Sequence, residues 1–183
     1  MSISRKLREF LSASHVKYTA MKHPVAYTAQ ELAAAQHVPG RQVAKSVLVN
    51  TTRGNVLAVL PAITLIDFKK LKRALGGGAV SIAKERDIKA QFPDVEVGAM
   101  SPFGNLYGVA VVVDQALSES EEIAFNAGSH TDTIKMRYRD FAALVTPKVG
   151  AFGQYPKSAR RTSSRPAPPT KLKAKTKTRA GKR

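Results

Sequence analysis

The stretch Arg41-Gln42-Val43-Ala44-Lys45-Ser46-Val47-Leu48-Val49 ends in an apolar, β-branched run of the kind that forms a buried strand. It follows the loop signal Pro39-Gly40 and leads through Thr51-Thr52-Arg53-Gly54 into a second apolar run, residues 55–60. Two such runs joined by a short glycine-containing turn predict a β-hairpin. Lys45 stands where the first strand begins. A long cation entering a buried strand must reach water, a counter-ion or a bound anion, because burying it unpaired is costly. By itself the stretch fits a lysine that snorkels to water at a strand end as well as one that holds a ligand.

Outward from the hairpin, the chain alternates helical and extended patterns irregularly. Ser4 can cap a helix over residues 4–14, with Leu7, Phe10 and Leu11 at helical spacing, and a short extended piece follows at residues 16–19. The capping box Thr28-x-x-Glu31 opens an alanine-rich helix that runs to about Val38. Beyond the hairpin, Asp67 caps a helix through Leu75 with Lys69, Lys70, Lys72 and Arg73 on its polar side, and Gly76-Gly77-Gly78 stops it. A short strand at residues 79–82 precedes a helix at 84–92. Residues 98–104 form a loop by their Gly and Pro content. Gly108-Val109-Ala110-Val111-Val112-Val113-Asp114 is the strongest strand signal in the chain. A strand at 122–126, its exit turn, a last strand at 133–136 and a helix at 138–145 complete the pattern. This order predicts an α+β fold with a mixed sheet rather than a doubly wound parallel one.

Composition narrows the function classes. There are no cysteines, which excludes disulfides, thiolate metal sites and cysteine nucleophiles. No apolar run is long enough to span a bilayer, and the first residues lack the apolar core of a signal peptide, so the cytoplasm is the expected compartment. The net charge of +17 is uneven: residues 157–183 carry 11 of the 30 Lys and Arg and no acid, which leaves a net of +6 on residues 1–156. A Pro-, Ala-, Ser- and Thr-rich segment of that kind cannot offset its ordering entropy and reads as a disordered tail suited to phosphate backbones. Nothing matches a phosphate-binding P-loop, a dinucleotide fingerprint or a metal-ligand spacing.

Taken in order, Val43-Ala44-Lys45-Ser46-Val47-Leu48-Val49, Gly98-Ala99-Met100-Ser101-Pro102-Phe103-Gly104 and Phe125-Asn126-Ala127-Gly128-Ser129-His130 resemble the YbaK/ProX family. This is the prolyl-tRNA-synthetase insertion-domain type of aminoacyl-tRNA deacylase. The resemblance covers about residues 1–150 and implies a curled mixed sheet flanked by helices in a domain over 1–155; the basic tail over 156–183 has no counterpart in the family's core domain. It implies hydrolysis of the ester joining a wrongly attached small amino acid (Ala, Cys, Ser or Thr) to the terminal adenosine of a tRNA, with no metal or cofactor. Lys45 then matches the family's essential lysine at the terminal phosphate region, and the 98–102 loop matches the loop whose backbone holds the aminoacyl group. The implied catalytic set is Lys45, Gly98, Ser101, Gly128 and His130, with Met100, Pro102, Phe103 and Ser129 at the substrate. The implied partners are a mischarged tRNA and an aminoacyl-tRNA synthetase; Lys69, Lys70, Lys72 and Arg73 and the tail residues Lys171, Lys173 and Lys175 are expected at the tRNA backbone from their charge alone.

The residues are compatible with this chemistry on their own terms. An activated ester needs no strong nucleophile; positioning and oxyanion-type stabilisation can supply the several kcal/mol required. A lysine point charge suits a phosphate, and a glycine-rich loop offers N–H donors to a carbonyl oxygen. Competing readings are a non-catalytic tRNA- or synthetase-binding module, a general basic nucleic-acid binder, and a lysine Schiff-base enzyme.

Overall fold

The computed structural model describes residues 3–156. Its centre is the expected hairpin. Strands β2 (Ala44–Thr51) and β3 (Gly54–Pro61) pair antiparallel without a slip, from Ala44 opposite Pro61 to Thr51 opposite Gly54. The Thr51 hydroxyl secures the two-residue turn, accepting from the Arg53 amide at 3.1 Å and donating to the Gly54 carbonyl at 2.7 Å.

Before the hairpin come α1 (Arg5–Ala13), β1 (Tyr18–Lys22) and α2 (Ala29–Ala35). Both predicted caps form: Ser4 accepts from the Leu7 amide, and Thr28 and Glu31 satisfy each other's backbone N–H. Helix α2 stops at Ala35, short of Val38, where His37 takes a positive φ of 52°. After the hairpin come β4 (Leu65–Ile66), α3 (Phe68–Ala74), β5 (Val80–Ile82), α4 (Glu85–Gln91) and a 3-10 turn (Gly104–Tyr107). Then follow β6 (Ala110–Asp114), α5 (Gln115–Ser118), β7 (Glu122–Asn126), β8 (Asp132–Arg137) and α6 (Tyr138–Val145). Two short strands close the described chain, β9 (Lys148–Gly150) and β10 (Gly153–Gln154).

The strands form two main sheets, a five-stranded mixed one, β5-β2-β3-β6-β9, and a three-stranded antiparallel one, β1-β8-β7, besides a two-stranded antiparallel pair, β10-β4. In the larger sheet β6 runs parallel to both β3 and β9. A parallel bridge between Val43 and Ala124 joins the two sheets. The fold is therefore α+β as expected, with the curl expressed as two sheets hinged at one bridge. Both sheets share one apolar core: Leu48, Leu57, Val111 and Val113 from the first meet Phe125, Ile134 and Met136 from the second, closed by Leu7, Leu11 and Phe141. Alternation along β2 sends Val49 to the opposite face, where Leu71 of α3 and Phe152 cover Ala58, Leu60 and Val112. A third small core under α2 joins Leu32 and Ala26 to Val43, Ala62 and Ala124.

The elements absent from the sequence-based expectation are β4, α5, β9, β10 and the 3-10 turn. The three strands are too short to show a period and are specified by their pairing partners, whereas α5 is a single turn opened by its Asp114 cap. Asp114 illustrates the point: its buried carboxylate accepts from the Phe152 and Gly153 amides and from Ala116, tying the end of the described chain back to β6.

Candidate active site

Strand β2 pairs with β5 only from Val49 onward, and its bridge to β7 lies at Val43. Between those two points its outer edge diverges from its neighbours, and a cavity of about 190 Å³ fills the gap. The β2 residues 44–47 form one wall, Tyr27, Ala29 and Leu32 of the α2 region a second, and Gly98, Met100 and Asn126 the remainder. Wider surface grooves exist among the described residues, including one of about 430 Å³ lined by Arg41, Glu119 and Tyr155, which contains neither Lys45 nor Gly98.

Lys45 is half-buried on this wall, and its ammonium donates to the Thr64 carbonyl and, at 3.5 Å, to that of Ala62. The 61–64 turn that presents those carbonyls is itself fixed, with the Thr64 hydroxyl and amide both donating to Pro61. Burial lowers the Lys45 pKa from its usual 10.5. An ammonium has three donors, so one remains for an occupant of the cavity.

The second and third motifs are laced to each other. The Glu96 amide donates to the Gly128 carbonyl at 3.0 Å, the Gly128 amide donates to Ala99 at 3.1 Å, and the Glu96 carboxylate accepts from the His130 amide at 2.9 Å. The His130 ring nitrogens lie 3.1 Å from the Ala26 carbonyl and 3.0 Å from that of Val97, and the ring packs on Tyr27 with centroids 5.0 Å apart. A neutral imidazole has one N–H and donates to one of these carbonyls at a time, while its ring packs between the two loops that border the cavity. Gly98, between them, has a φ of +90°, a conformation that strongly favours glycine.

Gly128 is buried behind this arrangement. At a φ of +108°, a Cβ on it would stand 2.8 Å from the Cβ of Ser4, the cap of α1. Its place is a backbone junction between the turn and the N-terminal helix rather than the cavity wall. Ser129 donates to Asp132 at 2.7 Å inside the turn. Ser101 and Pro102 are buried beside Met100 but outside the lining. Phe103, expected at the substrate, sits at 0% exposure in the aromatic core, edge-on to Phe141 at 5.4 Å and Phe10 at 5.9 Å. Its size and lack of a polar atom make it a core anchor. Lys45, Gly98 and Met100 are therefore the expected residues that share the cavity, with His130 supporting it.

Sequence reading left Tyr27, Ser46, Glu96 and Asn126 without a role. Ser46 and Asn126 did carry a signal, since each is polar within a strand otherwise apolar at its buried positions. On α3, Lys69, Lys72 and Arg73 are exposed and Lys70 partly so, while Leu71 anchors the helix. Lys171, Lys173 and Lys175 lie outside the described residues. Among the described residues, no group of three or more His, Cys, Asp or Glu could hold a metal ion, and no helix is long and apolar enough to cross a membrane.

A basic half-buried lysine, a glycine loop and a small cavity on an α+β scaffold define a small-ligand site with anion-binding capacity. Residues 23–144 match the aminoacyl-tRNA editing domain model, and the chain belongs to that family. It is similar to the multifunctional Ser/Thr-tRNA deacylase ProXp-y of Escherichia coli K12, 29% identical over 104 residues, or 56% of this chain and 62% of that protein. A stretch of 81 residues, 44% of this chain, is 31% identical to 14% of the proline–tRNA ligase of Thermosipho africanus. The fold matches a crystal structure of a candidate trans-editing enzyme for prolyl tRNA synthetase with a TM-score of 0.72 at 20% identity, covering 82% of this chain and 96% of that one.

Proposed function

We propose that this protein hydrolyses the ester linking a wrongly attached small amino acid to the 3′-terminal adenosine of a tRNA. The observation that carries the reading is the convergence of Lys45, Gly98 and Met100 on one cavity, in a chain whose editing-domain match spans all three. In this reading the free donor of the Lys45 ammonium holds the terminal phosphate region. The backbone at Gly98 offers N–H donors to the ester carbonyl, whose oxygen gains charge as water attacks. The water oxygen bonds to the acyl carbon, the ester C–O bond breaks, and the 3′ oxygen leaves with a proton. The substrate's 2′-hydroxyl is placed to help position the water. His130 and Gly128 act by positioning the two loops.

The basic face of α3 meets tRNA phosphates, as does the tail segment that contains Lys171, Lys173 and Lys175. Mischarged tRNA is the substrate partner. The similarity to part of a proline–tRNA ligase supports an aminoacyl-tRNA synthetase as a second one. The cytoplasm, where both partners act, is the proposed compartment.

The test is hydrolysis of Ala-, Cys-, Ser- and Thr-charged tRNA, with Pro-tRNA as control, by the wild type and Lys45→Ala side by side. Lys45-dependent turnover of one or two species is expected. Tight tRNA binding without turnover of any species would replace this reading with a binding module.

A further inference from the structure

Tyr27 is the most exposed large hydrophobic residue among the described residues, at 72%, yet it lines the Lys45 cavity. Its backbone is pinned on both sides. The Tyr27 amide donates to the Glu31 carboxylate at 2.9 Å, and the neighbouring Ala26 amide donates to the His130 carbonyl at 3.0 Å. The ring leans on the His130 imidazole, with centroids 5.0 Å apart and planes tilted by 54°. Its place just before the Thr28 cap does not account for the exposure. An apolar residue there often closes on the fourth residue of the helix, here Leu32. Leu32 is instead buried beneath α2 with Ala26 and Val43, and most of the Tyr27 surface stays open. A rigidly placed, uncovered aromatic ring at the rim of a ligand cavity is a surface prepared for another flat, apolar group.

We infer that Tyr27 is the stacking platform for the terminal adenine of the tRNA, which lies outside the cavity while the aminoacyl group enters it. This rests on the deacylase reading above. The size of the cavity places the base outside. At about 190 Å³ it is smaller than the roughly 300–1,000 Å³ of pockets that enclose a drug-sized ligand, so it takes an aminoacyl group but not a nucleoside as well. The base must then rest on the rim, where Tyr27 is the one aromatic residue of the lining. The other exposed aromatics stand elsewhere: Phe68 begins α3, and Tyr155 borders the separate groove with Arg41. With Lys45 at the phosphate and Tyr27 under the base, both ends of one nucleotide are held around a single opening. Stacking tolerates any base, which suits an end that has to be placed rather than read.

The experiment measures binding of three acceptor-stem hairpin RNAs that differ only at the last nucleotide. One ends in CCA, one carries 2-aminopurine in place of the terminal adenine, and one lacks that base. The wild type, Tyr27→Phe and Tyr27→Ala are compared. The wild type is expected to bind the CCA hairpin about tenfold more tightly than the abasic one and to quench the 2-aminopurine emission. Tyr27→Phe should keep both properties, because the ring remains. Tyr27→Ala should bring the CCA hairpin down to the affinity of the abasic one, which itself stays unchanged. A Tyr27→Ala that weakens both hairpins equally overturns the inference, since the residue would then shape the cavity rather than meet the base. Undiminished binding of the CCA hairpin by Tyr27→Ala also overturns it and leaves the ring to a protein partner. Turnover of the charged tRNA panel by the same wild type decides the deacylase reading separately. Stacking without turnover would keep the platform and remove the deacylase; turnover with no loss of affinity on removing the base would do the reverse.

Discussion

The imidazole of His130 packs against the backbone at Gly98: its Nε2 lies 3.0 Å from the Val97 carbonyl, and a Cβ on Gly98 would stand 3.4 Å from its Cε1. With Nδ1 facing Ala26 on the other side, the ring sets the separation of the two loops that border the cavity. His130→Ala should weaken binding of a non-hydrolysable aminoacyl-adenosine by roughly tenfold, about 1.4 kcal/mol, through loss of that spacing. His130→Gln, which can still reach one carbonyl, should recover part of it. Calorimetric titration checks both; full affinity in His130→Ala would remove the positioning role.

Gly98 and Gly128 both need positive φ, but they should fail in different ways. Gly98 faces solvent at the cavity, so Gly98→Ala should lose turnover at least tenfold for a stability cost of about 1–2 kcal/mol. Gly128→Ala adds a clash with Ser4 to the same backbone strain and should cost about 2–4 kcal/mol, loosening α1. Denaturant melts of the two variants separate the cases. Equal destabilisation would contradict the different places the two glycines occupy.

Lys45 makes a pH prediction. Burial holds its folded-state pKa below the usual 10.5, whereas the unfolded chain retains the usual value. Between the lowered value and 10.5 the unfolded state binds more protons, so stability rises with pH across that window. Affinity for a phosphate-bearing CCA analogue should move the other way, falling as the ammonium is lost. Lys45→Met should abolish both slopes, read by melts and binding from neutral to alkaline pH. Persistence of the stability slope in Lys45→Met would assign it to another group.

The α3 cations should act on affinity rather than chemistry. Lys69→Glu with Lys72→Glu should weaken tRNA binding and lower the salt slope of the binding constant by roughly two, with saturating turnover retained. Removing residues 157–183 should flatten the salt dependence further. An unchanged slope in either protein would show that the segment does not touch the nucleic acid.

The hairpin, both capping boxes or caps at Ser4 and Thr28, the α3 stop at three glycines and the α+β class were legible in the sequence, because each is written in residues close along the chain. Period-2 alternation, a cap followed by its first turn and a glycine at a helix end need no distant partner to be specified. The family motifs likewise marked Lys45, Gly98 and His130. What those residues do to one another was decided by tertiary structure. The divergence of β2 from β7 past Val43 and Ala124 opens the cavity, the Thr64 carbonyl holds the Lys45 ammonium, and the His130 ring supports Gly98. It also sent Phe103 into the aromatic core and Gly128 against Ser4, although both lie within motif stretches. Short range interactions select a local conformation, whereas burial and unpaired polar atoms depend on which strands meet. Only the packed chain determines that meeting.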